Sequence, residues 1–233
     1  GALLDGDIFN AVVRGAIFGK YYLNSSPTGV GKSRLKIGNA AVIAMPRVVD
    51  GGRIEYKKEG YEKILFVTTE LDVEEIQLAL LATVSNVPEE NIKSGTLSFE
   101  EAHRLEVGSK IIEMYSENFY IEQIPDPSVA HLKSKIEGHI RKNHVEYIFY
   151  DYIFSSPSLN SEFRSVREDV ALMYLSNMLK EIATTHNVFM MSSTQVNGSW
   201  IESSIRGSNL VRGSKAITDK VDVGMITLDL RDE

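Results

Sequence analysis

A chain of 233 residues, 43% hydrophobic and 24% charged, has the length and apolar content to bury a substantial core, as one α/β domain or at most two small ones, which excludes a disordered chain. Its formal net charge of −7 excludes a surface that is basic throughout, so any nucleic-acid contact must be a local positive loop or a channel assembled from several subunits. The absence of cysteine removes disulfides, thiolate zinc sites and cysteine nucleophiles and fits a reducing, cytoplasmic setting, while no apolar run approaches the roughly 20 residues that cross a bilayer.

The start, "GALLDGDIFN", lacks the basic and then apolar pattern of a signal peptide, and its first residue, Gly1, reads as that of an excised fragment or a tag remnant. Residues 1–19 contain an amphipathic stretch, "DIFNAVVRGAIFG", expected to form a linker or docking helix ahead of a core spanning 20–233. Strand-like runs follow at 20–25, 63–69, 118–123, 145–151, 188–194 and 221–228, alternating with helix-length stretches at 33–45, 73–86, 99–116, 129–143 and 163–187. That alternation predicts an α/β fold with a mostly parallel, twisted sheet covered by helices on both faces. In the last helix Val166, Val170, Met173, Met178 and Ile182 recur near the 3.6-residue period, which makes its methionines core filler.

Three segments do not fit a tight strand-helix-strand unit. Residues 46–62, "PRVVDGGRIEYKKEGYE", place a Gly-Gly turn between β-formers and predict a small hairpin. Residues 153–162, "IFSSPSLNSE", read as loop, and residues 196–211, "VNGSWIESSIRGSNLV", read as a working loop or a disordered one.

Chemistry concentrates where strands end. "SPTGVGKS", residues 26–33, follows a strand and opens a helix, the context in which small residues let backbone N–H groups curl around a phosphate. Ser26 stands where the strict pattern has glycine; Pro27, Thr28, Gly29, Val30 and Gly31 complete the loop, Lys32 would neutralise the β- and γ-phosphates, and the Ser33 hydroxyl would ligate Mg²⁺. "VEYIFYD" runs into Asp151 at the carboxyl end of a buried strand, the place for the acidic partner of the metal. "KILFVTTELD" ends with Glu70 just past a strand, placed to polarise an attacking water; Asp72 is a rival that reads better as a helix N-cap. "MMSSTQ" repeats the arrangement with Gln195, whose amide can hydrogen-bond a γ-phosphate or, taken alone, cap a turn.

With a phosphate loop, a glutamate, an aspartate and a glutamine ending four strands in that order, the chain resembles the RecA-like P-loop ATPases, and more narrowly the C-terminal motor domain of DnaB-type replicative helicases. The matching stretches are "SSPTGVGKS", "LFVTTELD", "IFYDYI", "MSSTQVNG" and "LVRGSKAITDKVDVGMI". The resemblance implies ATP and Mg²⁺ as ligands of Lys32 and Ser33, Glu70 as the catalytic carboxylate, Asp151 as the Walker B acid and Gln195 as the sensor. It also implies phosphate contacts to single-stranded DNA near Arg212, Gly213 and Lys215; between Gln195 and Thr218 only Glu202 opposes Arg206, Arg212 and Lys215. Trp200, which follows Ser199 in the preceding loop, could stack on a base. A ring of subunits, six in such helicases, and a loader or primase are the partners implied.

Two departures accompany the likeness. The arginine finger of such helicases lies on a hairpin beyond "LDLRDE", so the core is expected to be truncated before it, and their N-terminal primase-binding domain has no counterpart here beyond the first helix. An alternative is a RecA-like DNA-dependent ATPase, recombination factor or loading factor that does not unwind.

Overall fold

The computed structural model describes residues 1–27, 29, 31–163, 166–196 and 215–227. In chain order the elements are α1 (Asp7–Val13), β1 (Tyr21–Ser26), α2 (Lys32–Ala44), the short β2 (Arg47–Val48) and β3 (Ile54–Glu55), β4 (Ile64–Thr68), α3 (Val73–Ser85), α4 (Glu89–Ser94), α5 (Phe99–Met114), β5 (Phe119–Gln123), α6 (Val129–Asn143), β6 (Tyr147–Asp151), α7 (Pro157–Glu162), α8 (Glu168–Thr185), β7 (Phe189–Gln195), α9 (Lys215–Thr218) and β8 (Val223–Ile226). The long strands lie where the apolar runs predict them. They pair in parallel as one six-stranded sheet in the order β5-β4-β6-β7-β1-β8.

Because both faces are covered, alternate strand residues feed two cores instead of one core and solvent. Tyr22, Phe66, Phe149, Phe189 and Met191 pack with Ile37 and Ile43 of α2, Leu80 and Val84 of α3 and Ile111 of α5. Leu23, Val67, Ile148, Tyr150 and Met190 pack on the other face with Leu132 and Ile136 of α6, Leu175 and Leu179 of α8 and Ile217 of α9. Phe189 stands at the centre of an aromatic group, its ring 4.9 Å from that of Tyr22, edge on, and 5.9 Å from that of Phe149; such pairs add roughly 0.5–1.5 kcal/mol beyond area burial. The sheet also buries hydroxyls in pairs: Tyr21 and Ser192 are 2.6 Å apart, and burial pushes the Tyr21 phenol up to about 12.

The N-terminal stretch forms a shorter helix than predicted, because Arg14 (φ 61) and Gly15 (φ 77) turn left-handed after Val13. Leu4, Val13 and Ala16 are buried on this chain's own α2 face, and the Tyr22 hydroxyl donates to the Gly15 carbonyl at 2.8 Å. The predicted hairpin at 46–62 is present as β2 and β3, antiparallel about a turn at Asp50–Gly52 in which Gly51 (φ 76) and Gly52 (φ 73) both take positive φ. At the far edge, the Asp222 carboxylate accepts from the Tyr21 N–H at 2.8 Å and from Lys180 at 2.6 Å, locking the start of β8 to β1.

Three expectations need correction. Residues 153–162 are not all loop: Ser156 accepts from the Leu159 N–H and Pro157 opens α7 at its first position, a start signal that outweighs the polar composition. The helix expected over 163–187 begins at Glu168, because Val166, though in phase with the apolar stripe, closes a turn on the Phe163 carbonyl instead. Helix α4, six residues between Pro88 and Gly95 (φ 69), was not expected.

Helices α3 and α5 touch through a glycine. A Cβ on Gly108 would lie 2.7 Å from Ser85 Cβ and 2.9 Å from its Cα, so backbone must move to admit one. Gly108→Ala is therefore expected to lower stability by about 1–3 kcal/mol, read as a lower denaturant midpoint at unchanged slope. An unchanged midpoint would mean that the two helices are not held this closely.

Candidate functional site

Strands β4, β6, β7 and β1 are consecutive neighbours and all parallel, so their carboxyl ends share one edge of the sheet. Ser26 is the last residue of β1, fully buried and in register with Gln195, the last residue of β7. Beyond it Gly29 (φ 86) and Gly31 (φ 80) hold left-handed conformations that favour glycine, and Gly31 caps α2 without a side-chain acceptor. The first turn of α2 carries no acidic residue. A helix start whose N-cap residue offers no side-chain acceptor, at the positive end of the helix dipole, suits an anion.

Lys32 is half-buried at that start, its Nζ 5.4 Å from the centre of the Tyr152 ring. Burial draws its pKa down while the carboxylates of Asp151 and Glu70 pull it back up, which places both acids within electrostatic reach of the ammonium. Glu70 is exposed, two residues beyond the end of β4, where Thr68 pairs with Asp151. Thr69 fixes the exit of the chain there: its N–H and its hydroxyl both donate to the Asp151 carbonyl, at 2.8 and 3.1 Å. Asp72 is engaged elsewhere, as the N-cap of α3, with its N–H bound by Glu75 Oε2 at 3.1 Å and its carboxylate by the Gln123 amide at 2.8 Å.

Asp151 ends β6 in a buried polar network. Its Oδ1 lies 2.8 Å from Lys36 Nζ and accepts from the Ser193 hydroxyl at 3.0 Å, and the Ser33 hydroxyl is a further hydrogen-bond partner. Burial alone would raise the Asp151 pKa; the Lys36 ammonium and the hydroxyls outweigh it and hold the carboxyl below the usual aspartate range. A hydroxyl and a carboxylate side by side are hard oxygen donors, the kind Mg²⁺ takes from a protein when phosphate oxygens and water complete its shell; Ser33 and Asp151 could hold that ion.

The structure thus brings Lys32, Ser33, Asp151, Glu70 and Gln195 to one edge. A cavity of about 690 Å³, lined on one side by Arg167, Glu168, Asp169 and Leu172 at the start of α8, shares Tyr152, Thr194 and Gln195 with that edge. Thr28, Val30, Arg206, Arg212 and Gly213 lie outside the described residues, as do Ser199 and Trp200; Lys215 begins α9, its side chain likewise outside them. Two members escaped the sequence reading, Lys36 and Ser193. The signal for Lys36 was a lysine opening the run "KIGNAAVIA", in which Asn39 is the other polar residue, one helical turn after Lys32.

Comparison with known proteins agrees with this architecture. The SPbeta prophage-derived uncharacterized protein YorI of Bacillus subtilis (strain 168) is 34% identical over 240 residues, covering 99% of this chain and 47% of the relative, so the chain spans about half of that relative's length. A solved structure titled as a DnaB-like replicative helicase and its interactions with primase superposes with a TM-score of 0.73 at 16% identity, over 91% of this chain and 48% of that one. A second solved structure, titled as an ATPase domain, gives 0.75 at 15% identity, over 94% of this chain and 72% of that one. At these identities the two structures establish the RecA-like fold, and the match of residues 8–231 to the DnaB-like helicase C-terminal domain establishes the kinship: the chain belongs to the DnaB-like helicase C-terminal domain family.

Proposed function

We propose that this chain is the ATP-hydrolysing motor of a DNA helicase, working as a ring of subunits, six by likeness to its family, that translocates on single-stranded DNA during replication. The observation that carries the reading is the run of adjacent parallel strands β4-β6-β7-β1, which delivers Glu70, Asp151, Gln195 and the phosphate loop to a single edge. Residues 26–33 wrap the phosphates with backbone N–H groups, and Lys32 neutralises the β- and γ-phosphates. Ser33 and Asp151 hold Mg²⁺, which when bound supplies positive charge to the phosphate oxygens. Glu70 orients and polarises the attacking water and accepts its proton as ADP and phosphate form. Gln195 hydrogen-bonds the γ-phosphate and passes its presence to the residues that follow.

Those residues include Arg206, Arg212, Gly213 and Lys215, to which we assign the phosphates of the DNA strand; cationic side chains and a backbone N–H would give affinity that falls with salt. Residues 1–19 serve in this reading as the linker to whatever precedes the motor, and a primase or loader is the fitting protein partner, given the primase interactions named for one solved relative.

The experiment is strand displacement on a forked DNA duplex by the full-length protein with ATP and Mg²⁺. Displacement that requires ATP supports the motor. DNA-stimulated hydrolysis without displacement would replace it with a RecA-like ATPase that acts on DNA without unwinding.

A further inference from the structure

Lys36 lies outside the phosphate-loop pattern, yet its ammonium sits on the same carboxylate that the reading above gives to the metal. Its Nζ is 2.8 Å from Asp151 Oδ1, donates to the Ser193 hydroxyl at 2.7 Å and reaches the Lys32 carbonyl at 3.3 Å. The Lys36 side chain has no exposure, and that of Asp151 is 4% exposed. A buried lysine is retained only when a partner repays its desolvation, and here the partner is an acid expected to serve a divalent cation. The oxygen Oδ1 carries both the ammonium and the Ser193 hydroxyl, so the carboxylate is already held in one orientation with no metal needed to fix it.

We propose that Lys36 is a positioning residue for metal-nucleotide binding, a resident cation that stands in for Mg²⁺ on Asp151 and makes productive metal binding depend on the nucleotide's phosphates. Among the described residues the ammonium groups of Lys36 and Lys32 face the carboxylates of Asp151 and Glu70, and Arg34, also within electrostatic reach of Asp151, is paired with Glu89 at 2.8 Å, so these charges are close to balance and a bare divalent ion gains little there. A triphosphate changes that balance and brings the metal with it. The same ammonium holds Ser193, two residues before Gln195, which ties the acid on β6 to the strand that carries the sensor. This inference rests on the nucleotide reading and adds Lys36 to it.

The test is a Mg²⁺ titration of the full chain by calorimetry without nucleotide, and by fluorescence of a ribose-labelled ADP with it, in the natural protein and in Lys36→Met. The natural protein is expected to bind the labelled ADP with Mg²⁺ and to show no binding of Mg²⁺ alone below the millimolar range. Lys36→Met is expected to need about tenfold less Mg²⁺ or lower still for half-maximal ADP binding, the size of effect one adjacent charge exerts on an ionic equilibrium. A natural protein that takes up Mg²⁺ alone at micromolar concentration, or a folded Lys36→Met with the natural Mg²⁺ response, overturns the inference and leaves the nucleotide reading standing. Failure of the natural protein to bind labelled ADP overturns the nucleotide reading itself. Should Lys36→Met not fold, Lys36→Gln, whose amide can still donate to Asp151 Oδ1 without the charge, takes its place in the same titration; a folded Lys36→Gln with the natural Mg²⁺ response overturns the inference in the same way.

Discussion

Glu70→Gln is expected to bind ATP as the natural protein does and to turn it over about 10²–10⁴ times more slowly, the range that a positioned general base contributes. Glutamine has nearly the same size and can still hydrogen-bond a water, but its amide cannot take the proton. The side chain is exposed at the sheet edge, so the exchange removes no core contact and the fold should be unaffected. Lys32→Ala should differ in kind: it removes a charge-assisted contact worth about 1.5–3 kcal/mol, roughly a ten- to hundredfold loss in nucleotide affinity. The pair separates the two roles when Kd for a fluorescent nucleotide and kcat are measured on each variant. Turnover intact in Glu70→Gln would take that residue out of the mechanism, and Asp72, tied to α3 as its cap, offers no ready substitute.

The strands leading to Glu70, Asp151 and Gln195 were legible because a parallel sheet buried on both faces asks for long runs of apolar or small residues, and the first charged or amide side chain after each of these runs marks the sheet's carboxyl edge. Asp151 and Gln195 each follow a stretch of large apolar or small buried residues and then end a strand, so their placement needed no knowledge of the fold. Lys36 was not legible by the same logic. Helix α2 is buried from Lys36 through Ala44, so the mostly apolar run marks the lysine as out of place, but nothing in that run gives a hint of its partner. That partner lies 115 positions further on, at the end of β6. Short helices were lost for another reason: α4 and α7 have six residues each, too few to show a period, and only their terminal signals, Pro88 with Gly95 and Ser156 with Pro157, could have found them.

Removing Asp151 should expose how much of the fold leans on this pair. Asp151→Asn leaves Lys36 fully buried without its carboxylate, and breaking a buried pair from one side destabilises by about 3–5 kcal/mol. The loss should depend on pH in a definite direction. Burial already draws the Lys36 pKa below the ordinary lysine value of about 10.4, against the pull of Asp151, and without that acid it falls further. Between the lowered folded value and the unfolded one, the unfolded chain binds more protons, so stability rises with pH across that window. The variant should therefore regain stability as the buffer is made alkaline, when the lysine can be buried neutral. At acid pH the natural protein has the steeper loss, because the depressed Asp151 pKa contributes stability that is present above about 3.9 and disappears as pH falls through the folded value; the asparagine variant lacks that component. Denaturant midpoints taken from acid to alkaline buffers on both proteins measure this. An Asp151→Asn midpoint near the natural one and flat with pH would show that Lys36 does not depend on the Asp151 carboxylate, and the network joining α2, β6 and β7 would have to be redrawn without it.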